Sequence, residues 1–312
     1  MKRILILCFI VLGWLHSAFG QVTFNIDGFS KQYYGKVYFS DTTQTASAGW
    51  VEVYDRATKK KLIHVDADEL SFDLYDNPQK AYITKIPYEE QSAILYKDFN
   101  FDGVKDFAII DGFRNWTLGH SFKIFLASSK RFVFSDSFTE LTQDNQGMFN
   151  VNAINKTIST KSKIGDTWYQ YSDYIVENNK PKLIRRHTDD YEHAPFYRET
   201  IEELKGNKMV KTTRSSLALE RYHIEECFKF HVDKVNKDII LCNFYDDRLY
   251  YVILDAKQNV EFYYPFEELR QTSDFIFYRK NGKLTFKNKD ASYTIYDKSG
   301  NIGVDITYKG KT

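Results

Sequence analysis

Short runs of aromatic and β-branched residues, cut by polar turns, fill almost the whole chain. "KVYFS", "GWVEVYD", "KLIHVDA", "LSFDLY", "AYITKI" and "AILYKDF" follow one another, with turns such as "DRATKKK" and "YDNPQK" between them. The pattern continues through "DFAIIDG", "SFKIFLA", "RFVFSDSF", "MFNVNAI", "TISTKSK", "WYQYSDYIVE" and "KLIRRHT". Runs of this length, rich in Tyr, Phe, Val and Ile, suit a pleated, half-buried surface. Two weak helical segments stand against them, "SFTELTQDN" and "YPFEELRQT", each two turns at most. The spacing therefore predicts an all-β protein of antiparallel sheets, as a sandwich, a barrel or a propeller-like arrangement. Aromatics make up 17% of the residues and Pro only 5 positions, which is the composition of strands rather than of disorder.

The N-terminus reads as a secretory signal. Lys2 and Arg3 precede an apolar run from Ile4 to Leu15, and Ala18-Phe19-Gly20 supplies the small residues of a cleavage site. Cleavage is expected after Gly20, giving a periplasmic or secreted protein. The apolar run is short for a membrane span. Cys8 follows Leu7, whereas a lipoprotein signal wants a small residue there. No later segment is apolar enough to cross a bilayer. Removing residues 1–20 takes Lys2 and Arg3 and no acid, so 41 basic residues face 42 acidic ones. That balance gives no global attraction to nucleic acid.

About 290 residues exceed one typical core, so two modules are expected. "RETIEELKGNKMVKTTRSS" reads as a hairpin turning at Lys205-Gly206-Asn207-Lys208. The boundary is placed after it: residues 21–215 form one module and 216–312 a second, all-β again. In the second, Cys227 and Cys242 lie in "ECFKFHV" and "DIILCNF", on either side of the turn-like "DKVNKD". A hairpin would set them opposite each other. In an oxidising compartment a disulfide is the expected state, adding about 3 kcal/mol in the chain-entropy model. Two buried free thiols are the alternative.

"YKDFNFDGVKDFAII" crowds three carboxylates into nine residues of an otherwise apolar stretch. Asp98, Asn100 and Asp102 offer side-chain oxygens at positions one, three and five. Gly103 permits a sharp turn. The carbonyl of Val104 falls at position seven and the carboxylate of Asp106 at position nine. A hard cation taking six to eight oxygens, calcium above all, would be held by such a series. Position twelve is Ile109 rather than the glutamate of a helix–loop–helix site, so the loop is no EF-hand. Phe99, Phe101, Phe107 and Ile109 should anchor it on the sheet. The alternative is an ordinary Asp/Asn-rich turn.

Catalytic patterns are wanting. His187 and His193 flank Asp189, Asp190 and Glu192, a cluster that could bind a transition metal but fits no familiar zinc spacing. His223 and His231 bracket Cys227, but a bridged cysteine attacks nothing. His64 and His120 read as sheet and turn residues. Glu89-Glu90, Glu202-Glu203 and Glu225-Glu226 are adjacent pairs whose side chains would point to opposite faces of a strand. No catalytic residue is assigned, and no enzyme is expected.

The acidic loop resembles the strand–loop–strand calcium loops of FG-GAP and VCBS-type β proteins, whose ninth position is Asp. With the runs that follow, "SFKIFLASSKRFVFSDSFTEL" and "GMFNVNAINKTISTKSKIGDTWYQYSDYIVENNKPKLI", it resembles bacterial envelope proteins related to lysozyme-inhibiting immunity proteins. Those proteins guard against toxins of bacteria-killing type IV secretion systems. Relatives often carry a cysteine pair before the tryptophan, where this chain has Asp166-Thr167 before Trp168. The resemblance implies a calcium-stabilised, non-enzymatic protein that binds another protein, a lysozyme-like or peptidoglycan-degrading toxin. A carbohydrate- or cell-surface-binding module, using its many Tyr and Trp rings, is the rival reading.

Overall fold

The structure is a computed structural model. It describes residues 22–41, 44, 46–71, 85–87, 92–129, 131–193, 195–220, 227–244, 248–266 and 275–309. The signal segment 1–20, most of "YPFEELRQT" and His223 lie outside the described residues. Among those described, no helix is long and apolar enough to cross a membrane.

The chain is all-β; its described residues form five sheets, none of them a closed barrel. The first sheet has the order β4-β3-β2-β1-β5. Its members are β1 (Val22–Asp27), β2 (Tyr33–Phe39), β3 (Ala46–Asp55), β4 (Lys61–Ser71) and β5 (Lys85–Pro87). β5 lies parallel to β1, while β1 to β4 are antiparallel neighbours. The second sheet comprises β6 (Ile94–Lys97), β7 (Asp106–Asn115), β8 (Gly119–Ser128) and β9 (Arg131–Phe134), paired in chain order. α1 (Asp136–Gln143) follows, where "SFTELTQDN" allowed a short helix.

The third sheet also keeps chain order: β10 (Asn150–Asn152), β11 (Thr157–Ile164), β12 (Trp168–Glu177), β13 (Lys180–Asp190), β14 (Phe196–Lys205) and β15 (Lys208–Leu217). The fourth is β16 (Cys227–Val232), β17 (Lys237–Phe244), β18 (Arg248–Leu254) and β19 (Val260–Tyr264). The fifth is β20 (Ile276–Tyr278), β21 (Lys283–Asn288), β22 (Ala291–Lys298) and β23 (Asn301–Tyr308).

Two compact units divide the chain. One takes the described residues of Met1–Gly165 with Gln170–Arg186, the other Asp166–Tyr169 with His187–Thr312. The boundary expected at residue 215 differs from this, since it falls inside β15. The hairpin itself forms as expected: β14 and β15 pair at ten positions, from Phe196↔Leu217 to Lys205↔Lys208, and Gly206 takes a φ of +64° in the turn.

The core of the first unit alternates as the sequence does. Phe24, Ile26, Val37, Val51, Val53 and Val65 from the first sheet are buried with Ile94, Phe107, Ile109 and Ile124 from the second. Phe138 of α1 and Ile158 of β11 join them. Each such side chain contributes about 1.5–3 kcal/mol by leaving water. Close approach fixes one glycine here: a Cβ on Gly49 would stand 1.9 Å from the carbonyl oxygen of Tyr38 on β2. The second unit holds two smaller clusters, one around Cys242, Tyr250 and Val252, the other around Tyr251, Phe286 and Tyr293.

Cys227 and Cys242 are direct partners across β16 and β17, the placement expected of them. The bridge expected between them is absent; both thiols are free. Burial pushes the Cys242 thiol up to about 12, with the neighbouring Cys227 adding to the effect.

Candidate metal centre

The acidic loop joins β6 to β7. Its apolar flanks behave as anchors: Phe99, Phe107 and Ile109 are buried, and Phe101 packs against the same core. Phe99 meets Phe149 edge-on, with ring centroids 5.5 Å apart, and Phe107 stacks on Tyr96 at 4.6 Å. Phe101 and Gly103 have φ of +63° and +90°, so the chain reverses sharply between its oxygen-bearing residues.

Within the loop, side-chain oxygens turn inward to backbone donors. Asp98 accepts from the N–H groups of Asp102, at 3.2 Å, and Gly103, at 2.9 Å. The Asn100 amide oxygen accepts from Asp102 N–H at 3.2 Å, and Asp102 accepts from Val104 N–H at 2.7 Å. The Asn100 amide nitrogen donates to Asp102 at 3.0 Å and to the Asn179 side-chain oxygen at 3.1 Å. Asn178 and Asn179, with φ of +53° and +57°, form the turn between β12 and β13.

Asp106 is the deepest of the set, with 0% of its surface exposed. One of its oxygens accepts from Phe99 N–H and the other from Ala127 N–H, both at 2.8 Å. Burial pushes its carboxyl up to about 6, opposed by those two donors and reinforced by the charges of Asp102 and Asp98.

These bonds satisfy the loop as a polar turn but do not neutralise it. Among the described residues, no basic side chain pairs with Asp98, Asp102 or Asp106. The Lys105 ammonium lies over the Tyr96 ring instead. A buried carboxylate with two further acids beside it and no cation is costly. The donor set, namely three carboxylates, the Asn100 amide and the Val104 carbonyl, is all oxygen, and so suits a hard divalent ion such as calcium.

The first unit also presents a tryptophan that the sequence analysis did not single out. Trp116 sits at the tip of the β7–β8 turn and is 94% exposed. The turn beneath it is rigid: the Asn115 side-chain oxygen accepts from Thr117 and Leu118 N–H, both at 2.8 Å. Gln146 donates to the Thr117 carbonyl at 2.7 Å, and Gly147 N–H to the Leu118 carbonyl at 2.8 Å. Asn at a strand end followed by Trp was the available signal. Its full exposure could not be read from hydropathy.

The aromatic rings of the first sheet are spent on one another. Tyr34 stacks on Tyr54 and Tyr38 on Trp50, each a cross-strand pair of β2 and β3. Between them Glu52, 5% exposed, binds Lys61 and His64, each at 2.7 Å, together with the Tyr54 hydroxyl. His64 is thus an exposed-edge residue of the sheet, as expected. The His120 ring lies against Phe113. His187 and Asp189 do come together, joined not by His193 or Glu192 but by Glu199.

No family model matches the sequence, and no curated protein matches it. Among solved structures, the chain is similar to one described as a Xanthomonas type IV secretion system related protein, with 20% identity and a TM-score of 0.46. That likeness covers 63% of this chain and 94% of the other. A proposed 6-phosphogluconolactonase from Bacteroides uniformis aligns at 7% identity and a TM-score of 0.23, over 92% of this chain and 84% of that one. TolB from Acinetobacter baumannii aligns at 7% identity and 0.18, over 94% and 78%. Likenesses this weak do not bear on what the protein does.

Proposed function

We propose that this is a calcium-stabilised protein of the periplasm or the exterior that binds another protein and has no catalytic role. Its partner class is a lysozyme-like or peptidoglycan-degrading hydrolase, following the sequence resemblance at residues 98–184. The observation that carries the binding role is Trp116, fully exposed on a turn that four hydrogen bonds hold still. Exposed Trp on a rigid support loses little entropy on binding and buries a large apolar area, which is why it recurs among the residues that dominate interfaces. Calcium, at Asp98, Asn100, Asp102, Val104 and Asp106, would fix the start of β7, the strand that leads to that turn.

A lytic assay with the purified protein tests the reading. Inhibition of a lysozyme or peptidoglycan hydrolase by the wild-type chain, lost in Trp116→Ala, supports it. No inhibition of any lysozyme class, with retardation of the protein by polysaccharide in a gel, transfers the case to a carbohydrate-binding module.

A further inference from the structure

Strand register in the second unit assembles a side-chain cluster that no run of sequence contains. His187 and Asp189 alternate along β13 and so share a face; Tyr197 and Glu199 do the same on the adjacent β14. Arg214 on β15 stands directly opposite Glu199. The His187 Nε2 atom lies 3.0 Å from Asp189 Oδ1 and 3.0 Å from Glu199 Oε1. The three atoms fall within 4.8 Å of one another, the one such group among the described residues.

A single imidazole N–H can point along only one of those two lines. Two ligands at about 2.1 Å from a tetrahedral ion lie about 3.4 Å apart, so a small outward shift of these side chains would admit one. Each carboxylate also has a further partner that holds it in place. The Tyr197 hydroxyl donates to Asp189 Oδ1 at 2.6 Å, and the Arg214 guanidinium pairs with Glu199 Oε2. Glu199 is only 8% exposed, so its carboxylate has little freedom to leave. Partners of this kind orient metal ligands in known sites.

We infer that His187, Asp189 and Glu199 form a binding site for one divalent transition-metal ion, of the borderline class that accepts both imidazole and carboxylate, with Zn²⁺ as its probe. The two carboxylates balance the charge of such an ion, and the neutral imidazole completes the three ligands. An imidazole ligand sets this site apart from the all-oxygen loop of the first unit, so each should select its own cation.

The test uses the full mature chain, stripped of metal and then held in excess calcium to fill the acidic loop. Calorimetric titration should find one equivalent of Zn²⁺. Co²⁺ in its place should give visible d–d bands. His187→Ala and Asp189→Asn should each weaken binding about tenfold or more, while Asp102→Ala leaves it unchanged. If a variant fails to fold, anomalous scattering at the zinc edge from wild-type crystals decides instead. A peak among the three side chains supports the site. No stoichiometric binding up to millimolar zinc, binding retained by both folded variants, or a peak elsewhere overturns it.

Discussion

Ala127 donates its backbone N–H to the wholly buried carboxylate of Asp106 at 2.8 Å, tying β8 to the end of the acidic loop. A metal-free fold must carry that charge unpaired, and the consequence is a particular pH dependence. The folded chain keeps the Asp106 proton up to about 6, whereas an ordinary Asp loses it near 3.8. Between those values the native state binds more protons than the unfolded one, so stability falls as pH rises. The gap corresponds to about 3 kcal/mol. Denaturant unfolding of metal-stripped protein across this window should show the fall, and Asp106→Asn should flatten it. With saturating calcium, which favours the ionised carboxylate, the slope should reverse. Metal-free stability that climbs from about pH 4 to about pH 6, and climbs equally in Asp106→Asn, would contradict this account.

Calcium itself should raise the melting temperature, and EDTA should lower it. At a hundredfold excess over its dissociation constant the ion adds about 2.7 kcal/mol. Asp102 is exposed and anchors nothing in the core, so Asp102→Ala should fold and lose the calcium response. Superimposable melting curves with and without calcium would sink the metal reading.

Trp116→Ala should separate binding from stability. The side chain is 94% exposed, so its loss should change unfolding free energy by no more than about 0.5 kcal/mol. Affinity for an inhibited hydrolase should fall by about 2 kcal/mol or more, measured by surface plasmon resonance. Equal affinity of variant and wild type would remove Trp116 from the interface.

Gly49→Ala probes the packing of β2 on β3. The added Cβ would come within 1.9 Å of the Tyr38 carbonyl oxygen, a backbone atom that cannot swing aside. A loss of about 3 kcal/mol is expected in chemical denaturation. Gly103→Ala has open space around it and only its φ of +90° to overcome, so it should cost about 1 kcal/mol.

The paired cysteines make a chemical prediction. Cys242 is fully buried with its thiol pushed up to about 12, and Cys227 is half-buried and also raised. Iodoacetamide at neutral pH should modify Cys227 first and Cys242 only after unfolding, as read by mass spectrometry. Two unreactive cysteines in unfolded, unreduced protein would establish a bridge after all.

What the sequence made legible was local. The strands announce themselves by composition and alternation, the β14–β15 hairpin by Gly206-Asn207, and the tight acidic loop by spacing alone, because all its oxygen-bearing residues lie within nine positions. What depended on register was hidden. Glu199 meets His187 only because β13 and β14 run side by side; Glu192, nearer in sequence, does not join them. The hint was a pair of same-face motifs, His187-x-Asp189 and Tyr197-x-Glu199, on either side of a turn. The division between units was hidden for a related reason. A good hairpin turn near residue 206 marks a change of direction, not a gap in packing.

The bond from Asn100 to Asn179 spans 79 positions of sequence. A ribosome therefore makes every oxygen donor of the acidic loop long before it makes the residue that steadies them. A chain ending short of the Asn178-Asn179 turn would keep those oxygens without that support, and its loop should hold them less firmly.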